Sequence, residues 1–355
     1  MGNVARDSFP PPSAKENAFI DGPSPGPIFD GACRHRRSVV KAFTRVTVAL
    51  VGCLAAPVFV HSASLPQAPA ATAAASASTV AAAGARPPLP AMVDTPCQAE
   101  EPTPPPLAAL MKSWLASPTE RAALIKSISP AEMARIPAMV AKRHQDEIDQ
   151  KARDWPNLCK YRALNRNVIA AGRPDVVFMG DSITEFWKTN DQFMFNDRIV
   201  DRGISGQTSP QMLARFMPDV VSLRPRVVHI LAGTNDVAGN TGPNSPQDYE
   251  NNIRAMVALA QANGIAVVIG SILPANRFTW RPDLRPADQI LALNRWLRAF
   301  AVEKHLGYVD YYAALVDDKG GFRARLSNDG VHPNSEGYAI MRPLAVAAIA
   351  SAKSR

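Results

Sequence analysis

The chain has 355 residues, including 32 prolines, and a formal net charge of +8 at pH 7. It is longer than one ordinary α/β domain needs, which leaves room for an appendage. The basic residues are scattered without interleaved aromatic residues, which argues against nucleic acid as a partner. The four cysteines have neither CxxC spacing nor a histidine cluster beside them, so we expect no metal site and no cofactor.

Residues 1–64 are predicted to be a disordered basic extension that ends in an export signal. The twin arginines Arg36-Arg37 precede an apolar run from Val46 to Val60, and small residues follow at 62–64. This order is typical of a twin-arginine signal peptide. Two alternatives remain open, since the apolar run could stay as an uncleaved membrane anchor or Cys53 could be acylated. We expect an exported chain, periplasmic or secreted, with a possible membrane tether.

Residues 65–106 are almost entirely Ala, Pro, Ser and Thr, a composition that cannot form a core and predicts an extended linker. Over residues 107–171 apolar residues recur at helical spacing. The sequences that begin at Ser117 and Ser129 have proline in the first turn and an acid three residues on, which predicts helix starts. We expect two or three helices here, ahead of a catalytic domain at 172–355.

If the signal is removed, the even remainder of two cysteines, Cys97 and Cys159, suggests a disulfide in an oxidising compartment. The alternative is two free thiols, with Cys97 in the linker.

From Asp175 onward strands and helices alternate, which predicts an α/β domain with a parallel sheet covered on both faces. The five predicted strands are Val176–Met179, about Arg198–Asp201, Val227–Leu231, Ile265–Ile269 and about Tyr308–Asp310. The main predicted helices are Pro246–Asn263, Ala287–Lys304 and a last helix from about Asn334. Pro343 is expected to kink or split that last helix.

The first of these strands runs directly into Gly180-Asp181-Ser182. Such a turn brings a serine hydroxyl to the carboxyl end of the strand, the edge where open α/β sheets bind ligands. Ser182 would also lie at a helix N-terminus, where free N–H groups favour a developing negative charge. A serine that only caps the helix is the alternative.

A serine nucleophile needs a base, a group that orients the base, and donors for the oxyanion. Asp329 precedes His332 by three residues and can accept its Nδ1–H, which leaves Nε2 facing the serine. Glycine-rich residues around Gly206 follow the second strand, and Asn235 follows the third. Each of these three segments alone also fits an ordinary polar turn or helix cap.

The four segments GDSI, GISGQT, GTND and DGVHP, taken in this order, resemble the four conserved blocks of the SGNH (GDSL-type) hydrolase family. The resemblance covers about residues 172–355. It implies a flavodoxin-like three-layer α/β/α sandwich and metal-free hydrolysis of esters or thioesters. By position it places the nucleophile at Ser182, the acid and base at Asp329 and His332, and the oxyanion donors at Ser182, Gly206 and Asn235.

The substrate is less well defined by the sequence. The loop from Pro274 to Pro286 carries Arg277, Phe278, Trp280, Arg281 and Arg285, which could recognise an anionic or sugar-bearing ester or could merely cover the sheet. The family includes enzymes that act on lipid, thioester, simple and acetylated sugar esters. An envelope acyltransferase with the same triad is an alternative function, and a non-catalytic carbohydrate- or envelope-binding protein is a further one.

Overall fold

The computed structural model describes residues 96–97, 101–191 and 194–353. The predicted export signal and most of the predicted linker lie outside these residues. None of the helices in the described part is both long and apolar enough to cross a membrane.

The centre of the fold is a five-stranded parallel sheet with the strand order β2-β1-β3-β4-β5. Its strands are β1 Val176–Gly180, β2 Ile199–Gly203, β3 Val227–Leu231, β4 Ala266–Gly270 and β5 Gly307–Val309. The α/β fold with five parallel strands is therefore confirmed, and each strand agrees with its predicted range to within two residues.

Helices cover both faces of the sheet, so the domain has three layers. The larger of these helices are α9 Pro246–Ala262, α10 Ala287–Glu303 and α12 Ser335–Lys353; the shorter ones are α4 Arg162–Ala171, α5 Ser182–Asn190, α6 Ser209–Ala214, α7 Phe216–Asp219, α8 Thr234–Ala238 and α11 Tyr311–Leu315. Successive side chains of a strand point to opposite faces. Accordingly, Val177 and Met179 belong to one buried cluster, whereas Val176 and Phe178 belong to the other.

The last helix was expected to be kinked or split at Pro343, and the second of these expectations is wrong. Helix α12 continues as one element through Pro343, so it is not split there. A proline removes one backbone hydrogen bond from a helix. The buried face of α12, which includes Tyr338, Met341 and Ala345, packs against the sheet on both sides of the proline.

Three helices precede the sandwich: α1 Pro105–Leu115, α2 Pro118–Lys126 and α3 Pro130–Arg153. Helices α2 and α3 begin with the predicted capping boxes, in which Ser117 pairs with Glu120 and Ser129 with Glu132. Their common core is small and consists of Leu107, Leu110, Ile128, Ile136 and Val140. A disulfide joins Cys97 to Cys159, so the prediction of a bond between these cysteines is confirmed.

The parallel register aligns the ends of the strands that precede the sequence motifs. Gly180 at the end of β1 pairs with Gly203 on β2 and with Leu231 on β3. Because the carboxyl ends of parallel strands meet at one edge of the sheet, the turns after these three strands lie side by side.

Candidate active site

The turn after β1 places Ser182 at the first position of α5. Asp181 caps the helix, since its Oδ1 accepts the Ile183 N–H at 2.9 Å. The preceding Gly180 is required by close packing: a Cβ at this position would lie 2.0 Å from Thr184 Oγ1 and 2.9 Å from the Leu231 carbonyl oxygen. The turn therefore needs the glycine to bring the serine to the sheet edge.

Ser182, His332 and Asp329 form one hydrogen-bonded chain. The Ser182 Oγ lies 2.8 Å from His332 Nε2, and His332 Nδ1 lies 2.7 Å from Asp329 Oδ2. Asp329 Oδ1 also accepts the backbone N–H groups of Val331 at 2.9 Å and His332 at 2.8 Å. The carboxylate is thus fixed by its own turn and orients the imidazole.

The pKa values of this pair are shifted in opposite directions. Burial alone would raise the pKa of Asp329, but the charge and hydrogen bonds of His332 bring it down to about 2. Burial tends to lower the pKa of His332, yet the charge of Asp329 and its hydrogen bond raise it above the usual value. An ionised Asp329 can only accept a hydrogen bond, so the proton of neutral His332 lies on Nδ1 and the Nε2 lone pair faces the serine.

Two backbone N–H groups in the turns after β1 and β2 are candidates for binding the oxyanion. Gly206 has a φ of +76° in the turn after β2, a conformation that favours glycine. Within the described part of the chain, neither the Gly206 N–H nor the Ser182 N–H has a hydrogen-bond acceptor. Free N–H groups beside a nucleophile are suited to binding an oxyanion.

The side-chain amide of Asn235, unlike the N–H groups of Ser182 and Gly206, already has hydrogen-bond acceptors. Its Nδ2 donates to Asp181 Oδ2 at 3.1 Å and to the Gln207 carbonyl at 3.0 Å, so both amide protons have acceptors. Its Oδ1 accepts from Asn240 Nδ2 at 2.6 Å. The sequence correctly places Asn235 beside the serine turn, but its amide can reach an oxyanion only by exchanging one of these partners.

The two carboxylates next to the site residues hold loops together. Burial raises the pKa of Asp181 to about 7, and its oxygens accept from the start of α5 and from Asn235. Burial also raises the pKa of Asp236, to about 6, although Ser209 donates to it through both N–H and Oγ. Asp236 thereby connects α8 to α6.

Sequence reasoning missed two residues that position the site. Glu185, one turn after Ser182, accepts the Ser205 N–H at 2.7 Å and the Lys160 ammonium at 3.0 Å, which fixes the turn that carries Gly206. Arg215 is fully buried and donates to Gln207 Oε1, Asp219 Oδ2 and the Gly180 carbonyl. Glu185 lies on the same face of a short helix as Ser182, and this spacing is a sequence signal that could have identified it. No sequence signal identifies Arg215 as a buried residue of the site.

The other histidine near the sheet centre has a structural environment. His229 on β3 is completely buried, its Nε2 lies 2.9 Å from the Tyr311 hydroxyl, and burial lowers its pKa to about 3. It therefore stays neutral. Within the described residues no group of three or more His, Cys, Asp or Glu side chains is arranged to hold a metal ion.

The loop from Pro274 to Pro286 is only partly available for a ligand. Phe278 is buried in the core, the Trp280 Nε1–H donates to Asn240, and Arg281 donates to the Ala238 carbonyl. Arg285 donates to carbonyl oxygens of its own loop. Of the loop residues considered in the sequence analysis, Arg277 lines a cleft beside Asp329.

Comparison with known proteins agrees with this geometry. Residues 178–340 match the model of the GDSL-like lipase/acylhydrolase family. Esterase TesA of Pseudomonas aeruginosa is 30% identical over 140 residues, which are 39% of this chain and 63% of that protein. Acetylxylan esterase of Geobacillus stearothermophilus is 30% identical over 154 residues, which are 41% of this chain and 68% of that enzyme.

Among solved structures, a GDSL-like lipase from Bacteroides thetaiotaomicron is 40% identical and superimposes with a TM-score of 0.53. The match covers all of that chain and 56% of this one. The sequence motifs, the five-stranded sheet and these relatives agree: the chain belongs to the GDSL-like lipase/acylhydrolase family, a family of enzymes that act on ester bonds.

Proposed function

We propose that the protein hydrolyses carboxylic esters through an acyl-enzyme on Ser182. The observation that carries the proposal is the chain from Ser182 Oγ through the His332 ring to Asp329, with hydrogen bonds of 2.8 and 2.7 Å. A serine activated by an oriented imidazole is a nucleophile for acyl transfer.

In the first step His332 Nε2 takes the Ser182 proton while the Oγ attacks the acyl carbonyl. The resulting oxyanion accepts hydrogen bonds from the N–H groups of Ser182 and Gly206, and from Asn235 once its amide has turned. His332 then gives its proton to the departing alkoxide, and the alcohol leaves. Water repeats the sequence on the acyl-enzyme and releases the carboxylic acid. Each donor to the oxyanion typically lowers the barrier by roughly 3–4 kcal/mol.

The proposed substrates are simple esters and O-acetyl groups on sugars, with thioesters as a further class. The esterase relatives support the ester class, and the acetylxylan esterase among them supports the acetylated sugars. The same triad would serve an acyltransferase, in which a sugar hydroxyl replaces water in the second step.

The experiment is a comparison of the wild type with Ser182→Ala. We expect the wild type to hydrolyse p-nitrophenyl esters of short acyl chains and to react with a fluorophosphonate probe. Ser182→Ala should not be labelled, and its kcat should be lower by about six orders of magnitude. Retention of turnover by folded Ser182→Ala would refute the mechanism. Addition of sugar acceptors distinguishes transfer, which forms an acylated sugar, from hydrolysis.

We also propose that the chain is exported, on the basis of the twin-arginine segment at Arg36-Arg37 and the apolar run from Val46 to Val60. Because disulfides persist mainly in oxidising compartments, the Cys97–Cys159 bond supports the proposal. Fractionation of the native host followed by N-terminal sequencing should find a chain that begins after about residue 60. A full-length cytoplasmic protein as the main species would contradict it.

A further inference from the structure

The N-terminal helices are docked on the turn that carries the catalytic acid. Asn328, next to Asp329, donates its side-chain N–H to the carbonyl oxygens of Trp114 and Ala116 at the end of α1. Helix α1 also contacts α5, which begins at Ser182. The N-terminal helices lie outside residues 178–340, the region that matches the family model. They nevertheless contact two elements with catalytic residues, the turn that carries Asp329 and helix α5.

Between the helices and the sandwich lies a cleft of about 470 Å³. The N-terminal helices contribute Trp114 and Arg121, the loop after β4 contributes Asn276, Arg277 and Thr279, and the far side includes Asp329. The N-terminal helices therefore form one part of the cleft wall, and the sandwich forms the rest.

Two polar groups on residues that line this cleft have no hydrogen-bond partner among the described residues. Trp114 Nε1 and Thr279 Oγ1 are buried and make no hydrogen bond in the described part of the chain. Buried polar groups are normally paired, and an unpaired one destabilises the folded state. Both atoms have almost no exposed surface, so the oxygen atoms of a ligand would pair them only after the two side chains turn toward the cleft.

The charge of the cleft favours an anion. Arg121 and Arg277 line it, and neither guanidinium makes an ion pair within residues 101–191 and 194–353. The carboxylate in the lining is Asp329, whose oxygens already accept hydrogen bonds from His332 and from the backbone N–H groups of its turn. Two unpaired guanidinium groups are suited to bind a carboxylate or a phosphate.

The position of the cleft identifies the part of the ester that would occupy it. His332 must give its proton to the leaving alcohol oxygen, so the alcohol lies on the His332 side of the site. The cleft reaches the turn that carries His332 through Asp329 and Gly330, whereas Ser182 and His332 themselves do not line it. The N–H groups for the oxyanion lie on other turns, after β1 and β2.

We propose that the N-terminal helices complete the active site by forming a subsite for the alcohol part of the substrate, and that this alcohol is a sugar with an anionic group. Arg121 and Arg277 bind the carboxylate or phosphate, and Trp114 Nε1 and Thr279 Oγ1 bind sugar oxygens. The proposal rests on the ester hydrolysis proposed above and specifies its substrate class.

The test compares three acetylated sugars of similar size: O-acetyl glucose, O-acetyl glucuronate and O-acetyl glucose 6-phosphate. We expect a lower KM for at least one anionic sugar than for the neutral one, and the preferred anion identifies carboxylate or phosphate as the natural group. Arg121→Gln and Arg277→Gln should each raise that KM by about tenfold, since each removes a charged hydrogen-bond donor. Neither should change kcat for p-nitrophenyl acetate.

Matched controls are Lys126→Gln at the end of α2 and Arg285→Gln in the loop after β4. Both remove an exposed positive charge from an element that contributes to the cleft, and neither residue lines it. Equal KM values for the three sugars in the wild type would overturn the proposal. An anion preference that persists in both arginine variants would also overturn it, as would one that is lost equally in the two control variants.

A binding measurement separates this proposal from the failure of the proposed function. Calorimetric titration of folded Ser182→Ala with glucuronate and glucose 6-phosphate should detect binding that Arg277→Gln in the same background weakens by about tenfold. If the wild type does not turn over p-nitrophenyl acetate, ester hydrolysis is refuted. If the titration of Ser182→Ala detects no binding of either anionic sugar, the subsite is refuted.

Discussion

The catalytic sandwich has a large buried cluster on each face of its sheet, whereas the three N-terminal helices share five buried apolar side chains and are enclosed by a disulfide between Cys97 and Cys159. Buried apolar area is the main source of folding free energy. The sandwich can therefore form without help, while the helices need the Cys97–Cys159 bond and the contacts of Asn328 to keep their position. From this difference we expect substitutions of the triad and oxyanion residues to change kcat, and substitutions in the helices or in the residues that contact them or line the cleft to change KM and local stability.

The largest effect that tests this difference is expected for Asp329→Asn. Loss of the carboxylate removes the group that fixes the imidazole tautomer, so kcat should fall by about four orders of magnitude. Because His332 must be neutral to accept a proton, kcat/KM rises with pH through its pKa. The charge of Asp329 raises that pKa, so Asp329→Asn should move the half-maximal point of the residual activity to lower pH.

Asp181→Asn and Asp236→Asn serve as matched controls for that substitution. Both carboxylates are buried supports of loops, so these variants should lose thermal stability more than turnover. If Asp329→Asn keeps wild-type kcat while either control loses it, the assignment of the acid is wrong.

A smaller loss of turnover is expected for Asn235→Ala. Its amide contributes to catalysis only when the oxyanion forms, so kcat should fall by roughly 10²–10³ with little change in KM. The control is Asn263→Ala, whose amide donates to the Leu259 carbonyl at the far end of α9. An unchanged kcat for Asn235→Ala would show that its amide stays with Asp181 and Gln207 during the reaction.

Removal of the disulfide should affect the helices alone. The bond joins residues 62 positions apart in the chain, and a loop of this size contributes on the order of 4 kcal/mol in the chain-entropy model. In a Cys97→Ser/Cys159→Ser variant, trypsin should cut residues 105–153 faster, while kcat for p-nitrophenyl acetate stays at the wild-type value. Parallel loss of both properties would show that the sandwich does not fold independently.

The smallest effect is expected for Asn328→Ala. The variant removes two hydrogen bonds that hold the end of α1, each worth about 1 kcal/mol. The KM for an acidic sugar ester should rise several-fold with kcat unchanged. Asn263→Ala is the control, because it removes an exposed amide outside the cleft and should keep the wild-type KM. A normal KM in Asn328→Ala would contradict the role of these bonds.

The sandwich was largely predictable because apolar runs such as Val227–Leu231 are bounded by turn residues, and the motifs follow at fixed places in the chain. Gly206 and Asn235 were predictable beside Ser182 because parallel strand ends meet at one edge, whereas Asp329 and His332 were predictable from their spacing and from the resemblance of DGVHP to the last block of the family. The sequence does not predict that both amide protons of Asn235 are already hydrogen-bonded, because their acceptors on Asp181 and Gln207 lie far from Asn235 in the chain. The buried position of Arg215 was equally inaccessible, as a charged residue usually indicates a surface. The docking of α1 on Asn328 depends on two side-chain contacts that no periodicity encodes.

The acid and the base of this site share a single turn. Asp329 accepts hydrogen bonds from Ser327, Val331 and His332, all within three residues of it. The Asp329–His332 pair therefore moves as one body when the turn shifts, and its internal geometry is preserved. The Ser182–His332 bond, by contrast, joins residues 150 positions apart on separate elements. A displacement of this turn changes one catalytic distance and leaves the other intact, so the geometry of the triad varies along a single coordinate, the separation between α5 and the turn before α12.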